Sequence, residues 1–176
     1  MALVRVKTVR VAAVGAVVLV AACLASTAAC RRPDPNQELV ASDFEGYWVV
    51  DAPERGEQYI APAVRFLLRN RGQHPAHGLE ANAVFRREGE TETFGSDWRR
   101  IQSNDKALEP GQSTVVVLRS DRRYHTNGPI ESMFEHKDFR DVGATVFVRL
   151  GGSQWTPFGK VAVERHIGSK AVKAQP

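Results

Sequence analysis

Two alternating apolar and polar runs, separated by one short loop, most narrowly limit what this chain can fold into. In residues 63–70, Val64, Phe66 and Leu68 occupy every second position, and residues 79–86 repeat the pattern. The loop between the runs is rich in Gly and Pro. Side chains of a strand point alternately to its two faces, so a period of two predicts a pair of half-buried neighbouring strands.

Similar short runs recur and predict about seven strands in all. A Pro-Gly turn at residues 110–111 precedes a β-branched run, and Gly151-Gly152 opens the loop of a final hairpin, where positive backbone angles are expected. One short helix is expected at residues 130–136. The further strands are expected at residues 46–50, 93–101, 113–119, 144–150 and 158–167.

This pattern, with no long helix, predicts an all-β fold: an antiparallel β-sandwich, Ig-like, with a small β-barrel as the alternative. Trp48 and Trp98 lie in strand-like runs and are expected in the core. The phrase Pro62–Asn70, followed by a Gly/Pro loop and a later Pro-Gly-Gln-Ser before a Val strand, resembles small Ig-like modules of bacterial envelope proteins. The Cys-Trp-Cys core of antibody-type domains is absent.

The first thirty residues carry a targeting pattern. Arg5, Lys7 and Arg10 precede an uncharged apolar run that leads to Val20-Ala21-Ala22-Cys23. A basic start, a short apolar core and small residues before a cut are the parts of a secretory signal. The four residues that end at Cys23 resemble the lipobox of bacterial lipoproteins. That resemblance implies an acylated Cys, and an exported protein anchored by lipid in the cell envelope on the non-cytoplasmic side.

Several readings of this segment stay open. Cys30 is an alternative acylated residue, because a polar, Pro-containing stretch follows it at once. An ordinary cleaved signal would give a secreted protein, and an uncut segment a single-pass membrane protein. The domain plan is a signal peptide at 1–22 (or 1–29), a lipid-anchored tether at 23–38, a β-sandwich at 39–168 and a flexible tail at 169–176.

Charge and cysteine content exclude several functions. The chain has 24 Lys+Arg against 20 Asp+Glu, but three of the basic residues precede Cys23. The exported part is therefore nearly neutral, so no nucleic-acid partner is expected. Neither cysteine lies beyond Cys30, so no disulfide, Cys-zinc site or Cys nucleophile is expected in the domain.

His74 and His77 are weak candidates for a metal site. Two imidazoles three residues apart in a loop can converge on one ion, but zinc needs further ligands, and only Glu80 is near in sequence. No Gly-x-Ser-x-Gly, phosphate loop or dinucleotide fingerprint occurs. We therefore expect no enzyme and no cofactor.

Exposed aromatic or basic groups are the remaining candidates for binding. Trp155, in a loop, and Tyr124 are possible ligand contacts that together could form a sugar-stacking platform. A basic patch for anionic lipid or polysaccharide could also form from Arg99, Arg100, Arg119, Arg122 and Arg123. The expected function is a non-enzymatic module that binds an envelope protein or supports envelope assembly. Carbohydrate or small-ligand binding, and metal binding, are the alternatives.

Overall fold

A computed structural model of the chain describes residues 34–102 and 106–168. The predicted signal, both cysteines and the predicted tail lie outside these residues. No helix in the described part is long and apolar enough to cross a membrane. The helices are α1 (Pro35–Glu38) and α2 (Ile130–Met133), and the strands are β1 (Leu39–Val50), β2 (Gln58–Asn70), β3 (Leu79–Arg87), β4 (Gly95–Arg100), β5 (Ser113–Arg119), β6 (Tyr124–Thr126), β7 (Val142–Leu150) and β8 (Thr156–Val163).

The strands form two antiparallel sheets. One sheet has the order β1-β2-β5, with the short β6 also paired to β2, and the other has the order β4-β3-β7-β8. The chain crosses between the sheets after β2, after β4 and between β6 and β7. This is the strand order of immunoglobulin-like sandwiches. The predicted antiparallel sandwich is confirmed, and the alternative of a closed barrel is not found.

The core lies between the two sheets and is richest in aromatic groups at one end. Trp48 is fully buried, and its ring centroid lies 5.7 Å from that of Tyr124 and 5.2 Å from that of Phe139. The predicted burial of Trp48 is thus confirmed. The helix expected at 130–136 is only α2, which buries Ile130 and Met133 against the same cluster.

Both open sides of the sandwich are partly closed by hydrogen bonds. On the β1 side, Trp48 N donates to His166 O over 2.9 Å, and Glu164 N donates to Gly46 O over 3.0 Å. On the β5 side, Arg119 N donates to an oxygen of Asp97 on β4 over 2.9 Å. Because these contacts occupy strand edges, they leave less room for a partner strand to add there.

The chain enters the domain through α1 rather than through a free tether. Arg71 N and Gly72 N donate to Glu38 O over 2.8 and 3.1 Å, and Pro35 is buried. The folded domain therefore includes residues 35–38, which the sequence assigned to the tether. We call this end of the sandwich, with the β2–β3, β4–β5 and β7–β8 loops, the entry end.

Candidate functional site

Trp155 lies in the β7–β8 loop at the entry end. Its half-buried ring is stacked against the guanidinium of Arg149, whose Cζ lies 4.6 Å from the ring centroid. Gly151 and Gly152 begin the loop with φ angles of 55° and 74°. The expected positive angles are confirmed, and they return the chain so that Trp155 lies near the outward side of β7.

A buried carboxylate lies next to this stack. Glu80 of β3 is only 7% exposed, accepts a hydrogen bond from Arg149 Nε, and lies 3.6 Å from an Arg100 nitrogen on β4. Burial alone raises the pKa of Glu80. The hydrogen bond and charge of Arg149, with smaller contributions from Trp98 and Arg100, outweigh burial and lower the pKa below its ordinary value. Glu80 is therefore held ionised between two cations.

Trp98 is the most exposed large apolar side chain of the described residues, at 52%, so its predicted burial is wrong. It lies opposite Asn82 of β3, which in turn lies opposite Phe147 of β7. The side chain of Asn82 points outward, because its neighbours Ala81 and Ala83 are fully buried and successive side chains of a strand point to opposite faces. Trp98 therefore points outward with Asn82. Sequence periodicity could not show this, because β4 is too short to distinguish its buried face from its exposed face.

These residues belong to one surface, which we call the outer face: the outward side of the β4-β3-β7-β8 sheet. Rows of cross-strand neighbours compose it, since residues opposite each other in paired strands share a face. The rows, from the entry end, are Arg100, Glu80 and Arg149; Trp98, Asn82, Phe147 and Pro157; Ser96, Val84, Thr145 and Lys160; and Arg86, Gly143 and Ala162.

The two rows farthest from the entry end border a depression of about 670 Å³, which we call the trough. Gly143 and Ala162 are small and leave its floor open, while Arg86 and Lys160 stand on either side. The sequence reading missed these residues. Alternation alone places Arg86 outward, but only the register of three strands places Gly143 between Arg86 and Ala162.

Tyr124 serves the core at the opposite end of the sandwich. Its ring stacks on Phe94 with centroids 5.2 Å apart and lies 5.2 Å from that of Phe139. Its hydroxyl accepts a hydrogen bond of 3.0 Å from Arg87 Nε. A depression of about 420 Å³ adjoins it, but Arg87 and Arg123 on its rim already pair with carboxylates.

The prediction that Trp155 and Tyr124 together form one sugar-stacking platform is therefore wrong. Trp155 follows the end of β7, whereas Phe139, against which Tyr124 packs, precedes its start. The nine residues of β7 separate them by roughly 30 Å at about 3.3 Å per residue. The topology instead places Trp155 and Trp98 near the same salt-bridge cluster.

The metal candidates His74 and His77 are both exposed in the β2–β3 loop. Across residues 34–102 and 106–168, no group of three or more His, Cys, Asp or Glu side chains is arranged to hold a metal ion. Glu80, their nearest acidic neighbour in sequence, is engaged by Arg149. The structure thus brings no third ligand to the pair.

The predicted basic patch is largely neutralised by acidic partners. Arg99 pairs with Asp97, Arg100 with Glu80, Arg119 with Asp51, and Arg123 with Glu54 and Asp51. The Glu54 pair is bidentate, with contacts of 2.8 and 3.0 Å. The surface there is mixed in charge.

Comparisons with known proteins leave the function open. No family model and no curated protein matches the chain. Among solved structures, the structural genomics target SoR45 is 6% identical, with a TM-score of 0.41 over 81% of this chain and 96% of its own. A putative ApaA protein from Bordetella pertussis is 15% identical (TM-score 0.38; 74% and 94% covered), and a protein from Archaeoglobus fulgidus 9% identical (TM-score 0.37; 70% and 98% covered).

Proposed function

We propose that this chain is an exported, lipid-anchored β-sandwich whose outer face binds a partner in the bacterial cell envelope. The observation that carries the proposal is the 52% exposure of Trp98 on a sheet face. The half-buried ring of Phe147 lies in the same row of that face, with Asn82 between the two. Tryptophan is enriched at binding hot spots, because it contributes a large contact area with few degrees of freedom to lose.

The open face supports this mode of binding better than addition of a strand. Near Gly46 and Trp48, β1 is paired with residues 164–168, and β4 is tied to β5 through Asp97. The outer face has no such cover from the described residues around Trp98. A partner would therefore meet side chains rather than backbone groups.

A binding role also suits the chemistry next to Trp98. Glu80 is buried and held ionised by Arg149 and Arg100. A carboxylate with a lowered pKa and two cationic partners is a poor proton donor near neutral pH, but it fixes the direction of the guanidinium groups. Those groups then present fixed hydrogen-bond donors beside the exposed indole.

The anchor part of the proposal comes from Val20-Ala21-Ala22-Cys23. The described chain begins at Asp34, next to α1 and the β2–β3 loop, at the entry end. Acylation of Cys23 would tie the domain to the membrane through the residues that precede Asp34.

Site-specific crosslinking in intact cells tests the binding face. A photoreactive phenylalanine replaces Trp98 in one variant and Val115, an exposed residue of the other sheet, in the control. We expect a crosslinked adduct from position 98, whether one band or a spread of sizes, and none from position 115. Equal labelling from both positions, or none from position 98, would refute the assignment of the outer face.

A further inference from the structure

The trough has a surplus of positive charge. Among the described residues, neither Arg86 nor Lys160 forms an ion pair. Two carboxylates, those of Glu88 and Asp141, line the trough at the end away from the entry end. Asp141 is held by Arg165, with N–O contacts of 2.7 and 2.8 Å. Only Glu88 is left to oppose the two cations.

The surplus extends over the whole outer face. Arg100 and Arg149 share one carboxylate, that of Glu80. With Arg86 and Lys160, the face carries four cations against Glu80 and Glu88. An anionic ligand would therefore gain favourable interactions along the full length of β7.

The trough fits one extended polymer chain. Its walls stand on β3 and β8 with β7 as the floor, so they are two strand spacings apart, or about 10 Å. From Gly143, the floor leads along β7 to Phe147, about 13 Å away at about 3.3 Å per residue. A chain that lies in the trough would thus reach the ring of Phe147. Trp98 stands in the same row, two strand spacings to the side of β7, or about 10 Å, within reach of a sugar unit that follows.

A polysaccharide suits this surface better than a protein. A stable protein interface covers about 800 Å² per partner around an apolar centre. Here the middle row holds Thr145, Val84 and Ser96, and the one strongly exposed apolar group is Trp98. Hydroxyl, amide and cationic groups beside a flat indole match the hydroxyls, carboxylates and apolar ring faces of an acidic sugar.

We propose that the trough binds an acidic polysaccharide strand, with Arg86 and Lys160 contacting its carboxylates and Trp98 stacking on a sugar ring. This inference rests on the proposed binding role of the outer face and specifies its partner.

Calorimetric titration of the full-length protein, in a detergent without sugar groups, tests the inference. The probes are hexagalacturonate, neutral maltohexaose and a ten-residue polyglutamate peptide. We expect hexagalacturonate to bind at least about ten times more tightly than maltohexaose, and the difference to shrink in 0.5 M salt, because added ions screen exposed charges.

Three variants locate the site. Arg86→Gln combined with Lys160→Gln should weaken hexagalacturonate binding about 2- to 30-fold, the range for two exposed ion pairs. Arg69→Gln removes an exposed cation from the other sheet and should change nothing. Gly143→Val fills the trough and should weaken binding by more than about ten-fold. A Cβ at Gly143 meets nothing closer than Val161 O at 3.8 Å, so the fold should persist, as the urea midpoint would verify.

Each contrary outcome has a separate meaning. Equal affinity for maltohexaose overturns the role of charge, and binding of polyglutamate alone points to an acidic protein segment instead. If Gly143→Val binds hexagalacturonate with unchanged affinity, the binding site is not the trough. If no probe binds while position 98 still crosslinks in cells, the acidic polysaccharide is overturned and the binding face stands. If position 98 also fails to crosslink, the proposed function falls as well.

Discussion

Gly46 and Gly143 are two strand glycines at which substitution by alanine should change stability by very different amounts. A Cβ on Gly46 would lie 2.3 Å from Ala162 O and 2.9 Å from Val163 Cα, both backbone atoms. Gly46 is buried, and its carbonyl accepts the 3.0 Å hydrogen bond from Glu164 N. Gly46→Ala must therefore push β1 away from β8 and the segment that follows it.

The size of this effect follows from the contacts that would be lost. Separation opens the hydrogen bonds Glu164 N to Gly46 O and Trp48 N to His166 O, at about 1 kcal/mol each. Residual overpacking adds about 1–3 kcal/mol. Alanine recovers about 0.5–1 kcal/mol, because glycine loses more chain entropy on folding. We expect Gly46→Ala to lower the free energy of unfolding by about 2–4.5 kcal/mol.

Urea denaturation of the full-length protein, followed by far-ultraviolet circular dichroism, measures this difference. Gly143→Ala is the matched control, because its Cβ would stand 3.8 Å from the nearest atom and should change stability by less than about 1 kcal/mol in either direction. Equal losses in the two variants, or an unchanged midpoint for Gly46→Ala, would refute the close approach of β1 and β8.

Three further changes have defined outcomes. Trp48→Ala empties the aromatic end of the core and should cost about 3–5 kcal/mol in urea denaturation; a loss below about 1 kcal/mol would contradict its burial. Glu80→Gln should cost about 1–3 kcal/mol at pH 7, because it weakens charged hydrogen bonds. Because the pKa of Glu80 is lowered in the folded protein, its contribution to the free energy of unfolding is complete above the unfolded carboxyl pKa of about 4.3 and is lost as the pH falls toward the folded pKa. The stability of Glu80→Gln should therefore vary less with pH in this range than that of the unchanged protein. Parallel plots of stability against pH for the two proteins would contradict the ion pairs. Cys23→Ser should release the protein from membrane fractions and Cys30→Ser should not, with mass spectrometry of the mature N-terminus as the check; the reverse result would assign the lipid to Cys30.

The strands themselves could be predicted because the physics of alternation is local. Val64, Phe66 and Leu68 recur with a period of two, and all three are buried in β2. Gly151-Gly152 marked a turn, because glycine tolerates positive φ without strain. Strand ends were less predictable: β1 begins at Leu39 rather than near residue 46, since its first half is defined by pairing with β2.

Which residues meet depends on the tertiary fold. Glu80, Arg100 and Arg149 come from three strands, and only the pairing register places them side by side. In the same way, Trp98 points outward because Asn82, opposite it, does. Trp155 and Tyr124 lie far apart because they are near opposite ends of β7. The two-sided strands, the turns and the nearly neutral, thiol-free character of the domain follow from the order and composition of its amino acids alone. The outer face and its trough arose from cross-strand register, which depends on contacts among residues distant along the chain and therefore leaves no local periodic signal.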